Sequence, residues 1–304
     1  MSAALPWLWI PIVLWAALAQ TARNAAQRSL VAQAGTLGAT LSRFLYGIPF
    51  AAAWVALLHA WPATAAPVPA FHGGYFAWLV LGALGQLGAT AFLLAAMKER
   101  NFVVGVAYSK TDALQVALFG ALFLAELPGL AAMAAIALAT AGVVLLSLPQ
   151  KPVDGSAWTS RAAWFGLASG AGFALSAVGY RGAALQIPEA SPWLAGAWGV
   201  LLAQSLQTLV LGGWLAWRNR AALRATVTAW RVSAIAGAAG ALASIGWFTA
   251  FALTTAANVR TLGMVEVVFS YLVSHRLLRE KIARVEQAGL ALVLAGLLLL
   301  GLQL

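Results

Sequence analysis

Four charged side chains stand deep inside apolar runs: Arg43, Lys110, Asp112 and Glu266. An ionised group at the centre of a bilayer costs at least about 3 kcal/mol, so such residues face a bundle interior or a water-filled cavity. Two readings follow. A carboxyl in a poorly solvated cavity has its pKa raised, which suits a proton carrier, and its anionic form holds an amino or other cationic group. On that reading Asp112 and Glu266 are candidates for proton coupling and substrate binding, and Lys110 is a candidate anchor for a substrate carboxylate. On the structural reading, Arg43 or Lys110 pairs with Asp112 or Glu266 and braces the bundle. In a continuous helix Lys110 and Asp112 lie about 200° apart and point to nearly opposite sides. Tyr108, Asp112 and Gln115 share one helical face, as do Leu262, Glu266, Phe269 and Ser270. Trp15, Trp54, Trp198 and Trp247 also lie deep. Trp15 and Trp247 are the two singled out to line a cavity, because an indole offers both an apolar face and a hydrogen-bond donor. The candidate substrate-binding set is therefore Trp15, Tyr108, Lys110, Asp112, Trp247 and Glu266.

The elements that must carry these residues are membrane spans. The 304-residue chain is 62% hydrophobic and 9% charged, with a mean hydropathy of +0.87, too apolar a surface for a soluble domain of this size to cover. Apolar stretches of about 20 residues, enough to cross the hydrocarbon core, recur along its length. They place spans near 5–28, 37–61, 75–97, 102–124, 130–148, 162–185, 193–217, 232–253, 259–278 and 285–302. The first lacks a basic residue ahead of its apolar run and continues in helical pattern past Ala17-Leu18-Ala19, so it reads as a retained helix rather than a signal peptide. Many tryptophans, among them Trp7, Trp61, Trp164, Trp193 and Trp217, lie near span ends, where amphipathic rings favour the interface.

The two halves repeat. A shift of 154 positions carries Glu126 onto Glu280, Gly142 onto Gly296 and Asp112 onto Glu266. Five spans per half make the copies enter the bilayer from opposite sides, the arrangement of transporters whose ligand site lies where the halves meet. The expected fold is all-α and integral to the membrane, with ten transmembrane helices forming two inverted five-helix repeats around a central cavity. Residues 1–148 form the first repeat, 149–161 the linker with its two prolines and a glycine, and 162–304 the second.

Other features are structural by type and place. Gly82, Gly85 and Gly88, Gly166 and Gly170, and Gly237 and Gly240 are spaced for close helix approach. Glu126 and Glu280 sit at equivalent span ends, where their expected role is bracing a turn. Arg23 and Arg181 lie where the first and sixth spans run out, placed to snorkel or to gate a cavity. The chain has no cysteine, which excludes disulfides and thiolate chemistry. His59, His72 and His275 are isolated, and no phosphate loop or nucleophile–base set is present, so no metal, cofactor or enzymatic activity is expected. The net charge of +10 sits mostly in short loops and is no nucleic-acid footprint.

Ten spans, a five-span duplication, and the Glu126 and Glu280 turns followed by Ala141-Gly142 and Ala295-Gly296 resemble the EamA-type branch of the drug/metabolite transporter superfamily. The resemblance implies a ten-helix basket with a central cavity, in a multi-pass protein of the bacterial inner membrane, that exports or exchanges small metabolites such as amino acids. A proline common in the fourth span of that family is replaced here by Tyr108-Ser109-Lys110-Thr111-Asp112, which points to a polar or zwitterionic ligand. The expected partners are a small-molecule substrate and membrane lipids, and one chain suffices because it holds both halves. Rival functions are a lipid-carrier flippase, an intramembrane enzyme and a non-transporting receptor or scaffold. Loops after odd-numbered spans hold most Lys and Arg, including Lys98, Arg100, Arg218, Arg220 and Arg224, which puts both termini outside the cell. The family resemblance implies cytoplasmic termini.

Overall fold

The computed structural model describes residues 6–99, 102–148, 159–269 and 284–302. Among them every regular element is helical: α1 (Trp9–Leu45), α2 (Ile48–Ala60), α3 (Gly73–Met97), α4 (Phe102–Ser109), α5 (Asp112–Leu124), α6 (Leu130–Ser147), α7 (Arg161–Leu185), α8 (Pro192–Arg218), α9 (Arg220–Thr228), α10 (Trp230–Leu253), α11 (Ala256–Gly263) and a last helix, Arg284–Gly301. Six helical stretches are long and apolar enough to cross a membrane: Leu30–Ala60, Gly73–Ala96, Leu130–Ser147, Arg161–Leu185, Pro192–Arg218 and Trp230–Leu253. Part of the difference from the ten spans read in the sequence is local: the expected fourth span is cut into α4 and α5, each too short to cross by itself, and among the described residues the expected tenth falls just short, at Val285–Gly301. The linker 149–158, Ser270, His275 and Glu280 lie outside the described residues.

The boundary expected between the first two spans, at 28–37, contains the break made within α1 by Gly35. Its φ of 66° and ψ of 173° divide α1 into two helical segments, a conformation open to glycine because it lacks a Cβ. The second of these segments ends at Leu45, and α2 restarts with Pro49 in its first turn, where proline's missing N–H costs nothing.

The helices gather into two compact units, each drawing on both halves of the sequence. One contains residues 1–84 and 179–254. In it α1 packs along α10, α8 packs against α10, α2 and α1, and the short α9 lies against α1 and α8. Small residues bring the backbones together: a Cβ on Gly246 would stand 2.8 Å from Ala16 Cβ, and one on Gly237 would stand 2.5 Å from Tyr46 Cβ. In lipid such close packing replaces the missing hydrophobic drive. His59 closes the end of α2: Trp198 Nε1 donates to its Nε2 at 3.1 Å, so its Nδ1 carries the proton shared with Ala66 O at 2.8 Å. Trp198 thus has a packing and fastening role, stacked edge-on to Phe71 as well. Arg181 Nη1 donates to the Phe251 carbonyl at 2.8 Å, completing the C-terminal turn of α10.

The other unit contains residues 85–178 and 255–304. Its main contact joins α6 to the last helix. The two glycines related by the 154-residue shift meet the opposite helix at this one interface. A Cβ on Gly142 would stand 2.6 Å from Gly289 O, and one on Gly296 would stand 2.7 Å from Ala139 N. The Ala-Gly pairs that mark the repeat in sequence are therefore the places where its two copies of the fifth helix touch. At the end of α5, Ala125 takes a left-handed conformation, φ 55°, and the Glu126 N–H donates to Gly120 O at 3.1 Å. Glu126 closes that turn through its backbone, as a Schellman-type cap does. The expected glycine rows divide: Gly85 faces Gly172 O, with a Cβ distance of 3.0 Å, whereas nothing stands within 4 Å of a Cβ on Gly88.

Candidate functional site

The charged stretch in the middle of the expected fourth span is a helix break. Lys110 N–H and Thr111 N–H turn back to Ala107 O and Tyr108 O, each at 3.1 Å, and α5 begins afresh at Asp112. The Thr111 hydroxyl donates to Tyr108 O at 2.7 Å and accepts from Gln115 Nε2 at 2.9 Å. A carbonyl freed by the break is thus satisfied inside the protein, as apolar surroundings require. Because the helix is interrupted here, the 200° argument for Lys110 and Asp112 does not apply. Lys110 stands exposed at the break, while Asp112 turns inward and is 7% exposed.

A second break occurs one repeat later. After α11, Met264 N–H turns back to Thr261 O at 3.1 Å and Val267 N–H to Met264 O at 3.0 Å; residues 265–269 then resume a helix. Met264 is 154 positions after Lys110, and Glu266 is the counterpart of Asp112. Each acid therefore opens the helical piece that follows a break, where the helix dipole favours negative charge.

Asp112 and Arg260 form an ion pair, donated by Arg260 Nη2 to Asp112 Oδ2. Glu266 acts electrostatically on the same guanidinium. Arg260 Nε is enclosed without a hydrogen-bond partner among the described residues. The pairing expected from sequence assigned Arg43 or Lys110 to this role and did not involve Arg260. Instead, Thr255 caps α11, its hydroxyl accepting from Asn258 N–H at 3.3 Å, which places Arg260 more than a turn inside a helix. The α5–α11 contact brings it to Asp112. The cluster holds two carboxyls and one guanidinium, a set that can exchange an internal cation for a bound ammonium group or a proton.

The two tryptophans singled out fall in the other unit and differ in setting. Trp15, 52% exposed, lines a cavity of about 420 Å³ with Pro11, Ile12, Trp54, Trp193 and Thr249. Trp247 is buried, and its Nε1 donates to Gln20 Oε1 at 3.0 Å. Arg43 also lies in this unit, its guanidinium carbon 4.4 Å from the centre of the Phe44 ring. Tyr108 is partly buried at the first break. Among the described residues, no three His, Asp or Glu side chains converge as a metal would require.

The apolar helices and the charges buried among them define a multi-pass α-helical membrane protein. Residues 160–302 match the model of the EamA-like transporter family, part of the drug/metabolite transporter superfamily. The resemblance carried by the repeated glutamate turns and glycines thus has a family match in the second half of the chain, and that match suggests a membrane transporter of the drug/metabolite type. A solved structure described only as "Crystal structure of protein" aligns with 97% of this chain and 96% of its own, with a TM-score of 0.69 and 18% identity. At that identity the likeness is one of fold. No curated protein matches the chain.

Proposed function

We propose that the protein is a secondary-active transporter that exports or exchanges small polar or amphipathic metabolites, amino acids among them, by alternating access in the bacterial inner membrane. Ten spans in two inverted five-helix repeats, 1–148 and 162–304, surround its cavity, with the broken fourth and ninth spans each counted as one. The observation that carries this reading is the pair of helix breaks 154 residues apart, each followed by an acid. Discontinuous helices at corresponding places in the two halves are the strongest pointer to a transporter's binding site. Asp112 alternates between Arg260 and a substrate amino group or proton, and Glu266 plays the matching part in the second repeat. Tyr108 and Lys110 contribute at the first break. Trp15 and Trp247 contribute aromatic contacts to the substrate.

Counterflow in proteoliposomes, with a mixed pool of labelled amino acids and related amines, tests this function. The expected result is saturable accumulation that requires unlabelled substrate inside. Binding of pool members without accumulation would replace the transporter with a receptor. Turnover of lipid or prenyl substrates into products would replace it with an intramembrane enzyme, and scrambling of lipid-linked probes alone would replace it with a flippase.

A further inference from the structure

The unit formed by residues 1–84 and 179–254 is strongly unbalanced in charge. It contains eight arginines and a single acid, Glu189, which is exposed in the turn between α7 and α8. Arg43 is placed on α1 against this background. Its Nε and Nη2 are enclosed, and neither has a hydrogen-bond partner among the described residues. These two nitrogens form one edge of the guanidinium, the edge whose parallel N–H bonds match two oxygens of one carboxylate or phosphate. The Phe44 ring centre lies 4.4 Å from the guanidinium carbon and, being apolar, gives these nitrogens no hydrogen-bond acceptor oxygen. An enclosed donor without an acceptor is costly, and two on one edge call for an explanation.

The surroundings favour an anion. Arg23 Cδ and Arg43 Cβ both stand 3.4 Å from the Cβ position that Gly240 leaves empty, so two cationic stems run side by side past α10, and Arg23 acts on Arg43 as a like charge. Like charges so close are relieved by a counter-charge between them. On α8, which packs against α1, Gln204 Oε1 and Thr208 Oγ1 are likewise enclosed without partners, one helical turn apart. Gln204 reaches the end of α1: its Oε1 and the Arg43 carbonyl would stand 2.6 and 2.5 Å from a Cβ on Gly47. The glycine lets α8 and the end of α1 approach closely there.

We propose that Arg43 anchors an oxyanion-binding subsite in this unit. Its Nε–Nη2 edge takes two oxygens of a carboxylate or phosphate group on a small solute, Arg23 supplies the second positive charge, and the Thr208 hydroxyl offers a further donor. The proposal deepens the transport reading and rests on it, since the solute so held is the transported one and therefore carries an anionic group.

The test uses the full chain purified in a maltoside micelle, with binding read by intrinsic tryptophan fluorescence. The probes are benzoate, its uncharged analogue benzamide, inorganic phosphate and a short-chain phosphatidylglycerol. Saturable binding of benzoate or phosphate is expected, with benzamide at least about tenfold weaker. Arg43→Gln raises the half-saturating concentration of the anion at least about tenfold, and Arg43→Lys raises it severalfold, because an ammonium is a point charge without the planar fork. If Arg43→Gln does not fold, Arg43→Lys and the benzoate–benzamide comparison on the unaltered protein decide. Equal binding of benzoate and benzamide overturns the proposal, as does undiminished anion binding by both variants. Binding of phosphatidylglycerol alone overturns the assignment to a solute. Transport by the unaltered protein without any saturable anion binding refutes the subsite and leaves the transporter standing; anion binding without any transport does the reverse.

Discussion

Replacing Asp112 with Asn destabilises the folded protein by about 3 kcal/mol, the scale for removing one partner of a buried ion pair. Arg260 then keeps its charge in a helix interior, with its Nε already enclosed and unpartnered, and loses the carboxylate that its Nη2 donates to. Arg260→Gln produces a similar loss by leaving Asp112 unpaired. The double replacement is less damaging than the two single losses added together, because no isolated charge remains. A double-mutant cycle read by chemical unfolding in detergent measures this coupling directly. Full additivity of the two single effects would mean that the pair is not formed in the folded protein.

The second large effect is expected at a glycine. A Cβ on Gly166 falls directly on the carbonyl group of Gly105, where backbone meets backbone and no flexible side chain can give way. Gly166→Ala therefore forces α7 away from α4 and costs about 3 kcal/mol, the upper part of the usual range for overpacking. For a chain of this size that lowers the unfolding midpoint by about 5 °C. Gly88→Ala is the matched control: nothing stands within 4 Å of the added methyl, and alanine is the better helix former, so the midpoint holds or rises. Equal midpoints for the two variants would contradict the close α4–α7 contact.

Much of this was legible in the sequence because hydropathy and repetition are properties of the chain itself. Apolar runs gave the helices, and the 154-residue shift linked Asp112 to Glu266 and Gly142 to Gly296 before any contact was known. The packing glycines could be named, but not ranked. Gly85 and Gly88 are equivalent by spacing, and only the neighbouring backbone at Gly172 distinguishes them. The helix break at Lys110–Thr111 was hidden because no proline or glycine marks it; Tyr108-Ser109-Lys110-Thr111-Asp112 is compatible with a continuous helix. Its twin at Met264 follows Gly263, and comparing the two at the repeat spacing was the available signal. Arg260 was missed for a related reason. Its partner is 148 residues away, and the threonine cap at Thr255, which starts α11 early enough to carry Arg260 inward, is a short-range signal that an apolar-run reading passes over. The grouping of helices into units that mix both halves lies beyond periodicity altogether, because it depends on which surfaces fit.

The measurement that tests the central claim most directly is counterflow by Asp112→Asn and Glu266→Gln, separately and together, in proteoliposomes with and without an inward proton gradient. The account predicts that each single variant loses at least about tenfold in rate and that the double variant loses saturable transport and its response to the gradient, in protein shown to be folded. Unchanged rates and an unchanged pH response in the folded double variant would contradict it and remove the broken helices from the transport pathway.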